Sequence, residues 1–289
     1  MAYPKTVNDK FLWRKVFDRN PAFVDLSDKL LCKQVAKQKC PDILLPKVLW
    51  VGEDAAEIPE EFLQGDVMVK ATHGSGFCFP VFGGKYDRDE LLAATGDWLS
   101  TRYGWRHWEW GYFGVRPQLY VEELILDENG GYGTTEVKLY VYSGQIKQIA
   151  MIYDRQLEPS ASLLRGNWTT STGGNSIGVK TSDRTVPANR EFIDNIALQL
   201  CDGFDHMRCD LYLVGSKIFF GEYTLYNQGG YILLNNDDAL LAAQGAAWDI
   251  RQSWFLSEPQ SGFKAVYAQA LLALLNGHAT RDARHSFSG

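Results

Sequence analysis

Residues 67–76 read Val-Met-Val-Lys-Ala-Thr-His-Gly-Ser-Gly, an apolar run that passes directly into a glycine loop. The apolar and β-branched residues of Val67–Ala71 predict a strand, and the glycines after them predict a turn. Glycine lets backbone N–H groups approach an anion closely, and Lys70 adds positive charge at the strand end. The Walker spacing G-x-x-x-x-G-K-[ST] is absent. Taken alone, this stretch is either a phosphate-binding loop or a simple tight turn.

The chain before the loop is predicted to be mostly helical. Apolar residues of segment 8–40 recur at helical spacing, and Asn20-Pro21 divides the segment into two helices. Ser27-Asp28 supplies hydrogen-bond acceptors for the first N–H groups of the second helix. A strand is predicted at 43–51.

The chain after the loop combines helices with antiparallel hairpins. Helices are predicted at 91–103 and 191–200, a strand at 119–126, hairpins at 136–153 and 207–223, and a mostly helical end at 237–275. Ser143-Gly144 is the two-residue turn of the first hairpin. This order predicts an α+β fold in two lobes rather than a continuous βαβ series.

Segment 156–187 is rich in Ser, Thr, Gly and Asn and shows no periodicity. It is predicted to be a loop. Loops of that length inside a compact domain are usually a lid, a binding loop or a disordered segment.

The composition excludes several classes of protein. The 289 residues carry 29 Lys and Arg against 35 Asp and Glu, a net charge of −6, so no basic field is available to bind nucleic acid. No apolar stretch approaches the length of a membrane span. The five cysteines are odd in number, widely spaced and without a C-x-x-C pair, which favours a reducing cytoplasm over a secreted disulfide framework.

The second hairpin carries a candidate metal site. Strand alternation places Arg208, Asp210 and Tyr212 on one face, with Glu222 on the facing strand. Two carboxylates that meet across a hairpin offer the oxygen ligands that Mg²⁺ prefers when it bridges nucleotide phosphates. A surface salt-bridge ladder is the alternative interpretation.

Glu122 and Glu123 are adjacent on a predicted strand, so one of them must face inward, where it needs a partner. Two familiar active sites are poorly supported. Neither His73 nor His107 has a Cys or a third His at metal spacing, and G-x-S-x-G does not occur.

In this order the motifs resemble the ATP-grasp superfamily, and more closely its TupA-like branch, which is associated with teichuronopeptide and other surface-polymer biosynthesis. The resemblance runs from about Val7 to about Tyr226. The motifs that carry it are NDKFLW at 8–13, DRNP at 18–21, DK at 28–29, VKATHGSG at 69–76, VEELI at 121–125, EVK at 136–138, YDR at 153–155, RCDLY at 208–212 and FGEYT at 220–224.

The resemblance implies an ATP-grasp fold, in which two α+β lobes grip ATP between them. It divides the chain into an N-terminal helical segment at 1–28, lobe 1 at 29–125 and lobe 2 at 126–289. The separate large N-terminal substrate domain of many relatives is missing.

The resemblance also implies roles for particular residues. Lys29 and Lys70 would reach the nucleotide phosphates, with the loop His73, Gly74, Ser75 and Gly76 closing over them. Glu122, Glu123 and Ile125 would contact adenine, and Glu136 the ribose, with Lys138 also at the nucleotide. Arg208 would stabilise the transferring phosphoryl group, while Asp210 and Glu222 would hold Mg²⁺. Thr224 stands where many relatives place Asn, and Asn227 is the substitute ligand from the following loop.

By the same resemblance, the chain is a cytoplasmic, ATP-dependent carboxylate–amine ligase with an acyl-phosphate intermediate. It would join an amino acid to a sugar acid or to another amino acid, and a nucleotide-sugar or glycan is a candidate partner. Arg155 would bind the carboxylate, because a planar guanidinium matches two oxygens. Segment 156–187 and the aromatic patch 105–113 are further candidates for that recognition. Two alternatives stay open: a kinase acting on hydroxyls, and a carbohydrate-binding protein whose tryptophans stack on sugar rings.

Overall fold

The computed structural model describes residues 3–171, 180–182, 184–232 and 238–286, with side chains described up to residue 277. The protein is built from two antiparallel sheets with helices against them, as the α+β prediction requires. Among the described helices, none is long and apolar enough to cross a membrane.

The smaller sheet has four antiparallel strands in the order β1-β4-β2-β3. Its strands are β1 Val48–Gly52, β2 Val67–Ala71, β3 Cys78–Val81 and β4 Leu119–Glu123. The predicted strand at 67–71 is confirmed. Helix α4, Arg88–Ser100, covers this sheet and is capped by Asp87, whose side chain accepts a hydrogen bond from the N–H of Glu90.

The larger sheet has six strands in the order β10-β9-β5-β6-β7-β8, and only the short β7–β8 pairing among them is parallel. Its strands are β5 Thr135–Tyr142, β6 Gln145–Tyr153, β7 Ser160–Arg165, β8 Lys180–Thr181, β9 His206–Val214 and β10 Lys217–Thr224. Both predicted hairpins are present. Ser143 and Gly144 have φ angles of 45° and 74°, the left-handed conformations that a tight two-residue hairpin turn requires.

The remaining helices pack mainly on the larger sheet or against one another. They are α1 Val7–Val16, α2 Ala22–Ser27, α3 Leu31–Lys39, α5 Arg190–Cys201, α6 Asp238–Ala247, α7 Trp254–Ser257 and α8 Gly262–Ser286. Asp28 Oδ1 accepts from the N–H groups of Leu30 and Leu31 at 2.7 and 3.0 Å, the capping role predicted for it. Helix α2 was not predicted, because its six residues are too few for helical periodicity to show in the sequence.

The prediction that segment 156–187 is a loop was wrong for its first part. Residues 160–165 form β7, which pairs with β6 from Gln148 to Tyr153. β7 alternates serine and apolar residues, and Ala161 and Leu164 are buried while the serines mask the strand pattern in the sequence. Residues 172–179 and 183 lie outside the described part of the chain, so the lid prediction for them is not addressed.

Two buried cores accompany the two sheets. The smaller core is formed by residues between Ala55 and Val121, and the larger core combines the apolar residues of 7–43 with those from Val137 onward. α3 therefore packs with the larger sheet and touches β10. The domain boundary at residue 29 remains a prediction. Along the chain, Leu45 still packs against the larger core, whereas Leu49 packs against the smaller one.

Candidate functional site

A cleft of about 1110 Å³, counted to its open mouth, lies between the two sheets. β2, the glycine loop and β4 contribute residues on one side, and β5, β9 and β10 on the other. The predicted site residues that line it are Lys29, Lys70, Gly74, Ser75, Gly76, Glu122, Glu123, Ile125, Glu136, Lys138, Arg155 and Glu222. The fold thus brings together most residues that were selected from distant parts of the sequence.

On the smaller sheet, Glu122 is the inward-facing acid of its pair. It is 3% exposed, and it accepts from Lys70 Nζ at 2.6 Å and from Lys33. Burial would raise the pKa of Glu122, but the charges of the two lysines outweigh burial and hold this pKa below its usual value. The neighbouring Glu123 is exposed. Glu122 is therefore ionised and fixes two ammonium groups at the edge of the cleft.

Lys33 was not predicted as a site residue. It lies on α3, four residues after Lys29, and reaches across to β4. The four-residue spacing of Lys29, Lys33 and Lys37 was visible in the sequence, but on a surface helix such spacing usually marks a solvated face. Only the ion pair with Glu122 on β4 separates Lys33 from its exposed neighbour Lys37.

On the larger sheet, a β-bulge brings the two candidate metal carboxylates opposite one another. The register passes from Phe220 opposite Leu211 to Glu222 opposite Asp210, so Gly221 is the additional residue. A Cβ at Gly221 would lie 2.9 Å from the Tyr212 ring and 3.0 Å from the Asp210 carbonyl oxygen. The bulge needs glycine at this position.

A continuous chain of ion pairs links these acids to the cations around them. Arg208 binds Asp210 through two hydrogen bonds of 2.6 Å and lies 3.6 Å from Glu222. Lys138 Nζ lies 2.5 Å from both Asp210 and Glu136. The chain ends in Lys29, which pairs with Glu222, and in Arg155, which pairs with Glu136.

The charges in this network fix its ionisation. Burial would raise the pKa of Glu222, but Lys29, Lys138 and Arg208 lower it far below its usual value. Burial would lower the pKa of Lys29, but Glu222 and Tyr112 hold it above its usual value. Both Lys29 and Glu222 are therefore charged at neutral pH.

The cations in the described cleft outnumber the acids that pair with them. The ion-pair network at the cleft contains six cations (Lys29, Lys33, Lys70, Lys138, Arg155 and Arg208) and four acids (Glu122, Glu136, Asp210 and Glu222), a net charge of +2, and the exposed Glu123, which also lines the cleft, lowers this excess to +1. This excess is local, because the whole chain carries −6. The cleft is suited to a polyanion.

Among the predicted site residues that do not line the cleft, Asn227 and His73 are held by contacts elsewhere in the structure, while Arg208, Asp210 and Thr224 lie on the strands behind it. Asn227 is 2% exposed and its Nδ2 donates to His206 Nε2 at 3.2 Å, in a different buried cluster. The ring of His73 is buried and its Nε2 lies 2.9 Å from the carbonyl oxygen of Trp98. Burial lowers the pKa of His73, so its imidazole is neutral and the loop offers backbone N–H groups rather than this side chain.

The donor set fits a magnesium ion that is shared with phosphates. Among the described residues no three His, Cys, Asp or Glu side chains form a metal cluster. Magnesium usually takes only one or two carboxylates and completes its shell with water and phosphate. Glu222 lines the cleft, whereas Asp210 is fully buried behind it and Thr224 is two ladder positions further, opposite Arg208. Glu222 is thus the carboxylate most accessible to an ion.

The aromatic patch 105–113 begins beside the glycine loop. Tyr103 lies next to Ser75, and its ring meets Phe77 edge-on at 5.5 Å. Trp105 and Phe113 stack with ring centroids 4.7 Å apart, and Trp105 and Trp108 are each about half exposed. The patch therefore extends outward from the end of the cleft where Lys29 lies.

The sequence matches the TupA-like ATPgrasp family over residues 9–244. No protein of curated function matches the chain in sequence. Among solved structures, it is similar to D-alanine–D-alanine ligase from Bacillus anthracis complexed with ATP, with 17% identity, 79% of this chain and 66% of that chain covered, and a TM-score of 0.45. It is also similar to D-alanine–D-alanine ligase from Helicobacter pylori, with 14% identity, 78% of this chain and 61% of that chain covered, and a TM-score of 0.43. A third similar structure is macrocyclase MdnC bound with precursor peptide MdnA from Microcystis aeruginosa, with 17% identity, 79% of this chain and 62% of that chain covered, and a TM-score of 0.42. The chain spans less than two thirds of the length of these three proteins.

Proposed function

Because the chain belongs to the TupA-like ATP-grasp family, we propose that it is an ATP-dependent carboxylate–amine ligase that releases ADP and passes through an acyl phosphate. The observation that carries the proposal is the network of six cations and four acids at the cleft, in which positive charge is in excess. Phosphoryl transfer needs positioning and neutralisation of charge on the phosphate oxygens, and no protein nucleophile.

The proposed nucleotide site follows the order of the lining residues. Lys29 and Lys70 bind phosphates under the loop of Gly74 to Gly76, and Lys33 supports Lys70 through their shared partner Glu122. Adenine lies against the segment Glu122 to Ile125, and Glu136 accepts from the ribose. Mg²⁺ held by Glu222 and Asp210 would supply further positive charge. Asn227 is left out of the proposed ligand set because its amide is already bound to His206.

In the first step the substrate carboxylate attacks the γ-phosphorus and ADP leaves, while Arg208 stabilises charge on the transferring group. Arg155 is the proposed carboxylate-binding residue. Its Nη1 is paired with Glu136, and its side chain is 53% exposed, which leaves the other guanidinium donors accessible from the cleft. In the second step an amine attacks the acyl carbon and phosphate leaves, which yields an amide.

The proposed substrates are an amino acid and a sugar acid or second amino acid, and the proposed setting is cytoplasmic synthesis of a surface glycopolymer. The family's association with surface polymers supports this assignment. The half-exposed aromatic rings of Trp105 and Trp108 near the phosphate end of the cleft also suit contact with a sugar ring.

The nucleotide site is tested by thermal unfolding with Mg-ADP, comparing wild type, Glu222→Gln and the exposed control Glu61→Gln. Ligand at about 100 times its dissociation constant adds roughly 2.7 kcal/mol, a rise in Tm of about 4 °C for a chain of this length. Wild type and Glu61→Gln should show the full rise, and Glu222→Gln a smaller one. A wild type that does not respond to any purine nucleotide contradicts the proposal.

The reaction class is tested by adding hydroxylamine, which traps acyl phosphates as hydroxamates. Wild type is incubated with Mg-ATP, hydroxylamine and a panel of amino acids and uronic acids. ADP release together with hydroxamate indicates a ligase. ADP release with a phosphorylated alcohol and no hydroxamate would indicate a kinase instead.

A further inference from the structure

Arg155 lies on the face of the larger sheet that strand alternation would not give it. Tyr153, the last residue of β6, is buried and lines a second cavity together with Thr135. Residues two apart in a strand share a face, so a regular continuation of β6 would place Arg155 beside Tyr153. Arg155 instead lines the cleft and pairs with Glu136.

The second cavity and the cleft lie on opposite faces of this sheet. Thr135 lines the second cavity, while its neighbour on β5, Glu136, lines the cleft. Adjacent residues of a strand point to opposite faces. The side chains of Tyr153 and Arg155 therefore point to opposite sides of the sheet, although they are two residues apart.

Asp154 is the residue at which the alternation breaks. Its φ is 53°, a left-handed conformation that Asp adopts more readily than most residues with a side chain. Its carbonyl oxygen accepts from the N–H of Leu157 at 2.9 Å, which closes a turn over Arg155 and Gln156. The left-handed backbone of Asp154 thus directs Arg155 into the cleft.

The side chain of Asp154 is held by an arginine from a distant part of the chain. Arg184 follows β8, and its Nη1 and Nη2 both donate to the carboxylate of Asp154, the first at 3.4 Å. Its guanidinium carbon also lies 4.8 Å from the centre of the Tyr153 ring. Arg184 therefore contacts both residues that come directly before Arg155.

Arg184 is itself attached to the larger sheet. Its N–H donates to the hydroxyl oxygen of Ser182 at 3.2 Å. Ser182 is bound to β7 from both sides, since its N–H donates to the carbonyl oxygen of Ala161 and its carbonyl oxygen accepts from the Ser162 hydroxyl, each at 2.8 Å. A continuous set of contacts thus runs from β7 to the turn that carries Arg155.

We propose that Asp154 and Arg184 are positioning residues for the substrate carboxylate, because their ion pair holds the left-handed turn that directs Arg155 into the cleft. The inference rests on the proposed role of Arg155 and deepens it. Neither Asp154 nor Arg184 is among the described residues that line the cleft, so both act through Arg155 rather than on the substrate.

The ion pair is suited to orientation more than to stability. The side chain of Arg184 is 50% exposed, and exposed ion pairs add little to the free energy of unfolding. A guanidinium that forms two parallel hydrogen bonds with a carboxylate needs a fixed orientation, however. The pairing of Arg155 with Glu136 fixes one end of its side chain, and the turn at Asp154 fixes the other.

The experiment measures steady-state kinetics in the hydroxamate assay, with the carboxylate that reacts fastest in the panel above. Arg184→Gln and Asp154→Asn should each raise the KM for the carboxylate about fivefold, the range expected when one hydrogen-bonded ion pair is lost. The kcat and the KM for ATP should stay within about 2-fold of wild type. A KM that rises at constant kcat indicates weaker substrate binding rather than a damaged protein.

Matched variants separate the ion pair from the backbone conformation. Arg184→Lys keeps the charge and should recover part of the wild-type KM. Asp154→Ala loses both the ion pair and the preference for a left-handed φ, so its KM should exceed that of Asp154→Asn. Arg88→Gln is the control, because Arg88 is also about half exposed and its partner Glu60 lies outside the cleft; it should behave as wild type.

A double-mutant cycle shows whether Arg184 acts through Arg155. If it does, Arg184→Gln should change the KM for the carboxylate by less than about 2-fold in the Arg155→Lys background, because the group that it positions is already gone. Fivefold effects that multiply would mean that Arg184 acts independently of Arg155, which overturns the proposal.

The remaining outcomes are distinct. Wild type that forms no hydroxamate with any carboxylate overturns the ligase function and this inference with it. An unchanged KM for the carboxylate in Arg184→Gln, or equal rises in the KM for the carboxylate and for ATP, overturns the positioning role while leaving the ligase function intact.

Discussion

Glu222 on β10 lies directly opposite Asp210 on β9 because Gly221 bulges out of the ladder between them. In a regular ladder without the bulge, Asp210 would face Gly221, and the side chain of Glu222 would point to the opposite side of the sheet. The pairing of the two acids therefore depends on a residue with no side chain.

Gly221→Ala tests that dependence. The added Cβ would press on the Tyr212 ring and on the Asp210 carbonyl, so we expect a loss of about 1–3 kcal/mol in the free energy of unfolding. Weaker stabilisation by Mg-ADP should accompany it. Urea denaturation with and without Mg-ADP measures both. Gly144→Ala is the control, since its Cβ would meet open space although its φ is also unfavourable; it should lower stability without changing the response to Mg-ADP.

Lys33→Met tests the contribution of the cation on α3 that pairs with Glu122. Glu122 would keep Lys70 but lose its second buried partner, and we expect a loss of roughly 1–3 kcal/mol in stability and weaker nucleotide binding. Lys37→Met on the same helix is the matched control, because Lys37 is exposed and bonds only the carbonyl of Pro41 in the described structure. Isothermal titration with Mg-ADP gives the affinities, and equal affinities for the two variants would exclude Lys33 from the site.

The free energy of unfolding should decrease at acid pH because Glu122 becomes protonated. Its pKa is held below the ordinary 4.5 in the folded protein, so its contribution is present above that pH and is lost as the pH falls through the folded value. We expect Glu122→Gln to be about 2 kcal/mol less stable than wild type at pH 7. The difference should narrow once the pH drops below about 4.5. A difference in Tm that stays constant from pH 7 to pH 3.5 would contradict the assignment.

Arg155→Lys tests the proposed carboxylate contact. Lysine keeps the charge near Glu136 but presents no planar pair of donors. The KM for the carboxylate should rise roughly tenfold or more, the range of a lost charge-assisted hydrogen bond, while the KM for ATP changes little. Steady-state kinetics on the hydroxamate assay measures both constants. Comparable rises in the two would place Arg155 at the nucleotide instead.

The sequence predicted the elements that are specified by residues close to one another along the chain. Ser143-Gly144 between two alternating runs specified a hairpin, and the charge pattern of 208–222 specified a carboxylate pair, because both depend on neighbouring residues. β7 was missed because its pairing with β6 is tertiary and its serines resemble a loop. Lys33 was missed because its partner is 89 residues away.

The ion pairs of the cleft also bear on how nucleotide enters. Six cations gathered without an anion would repel one another, and the four acids act as internal counter-ions that keep them together. Lys33 on α3 and Glu122 on β4 further connect helices of the larger core to the smaller sheet. Nucleotide binding would therefore exchange one set of counter-ions for another within a site that is already assembled. The affinity for ATP would then be set by the difference in free energy between the ion pairs of the cleft and the contacts that the phosphates make in their place.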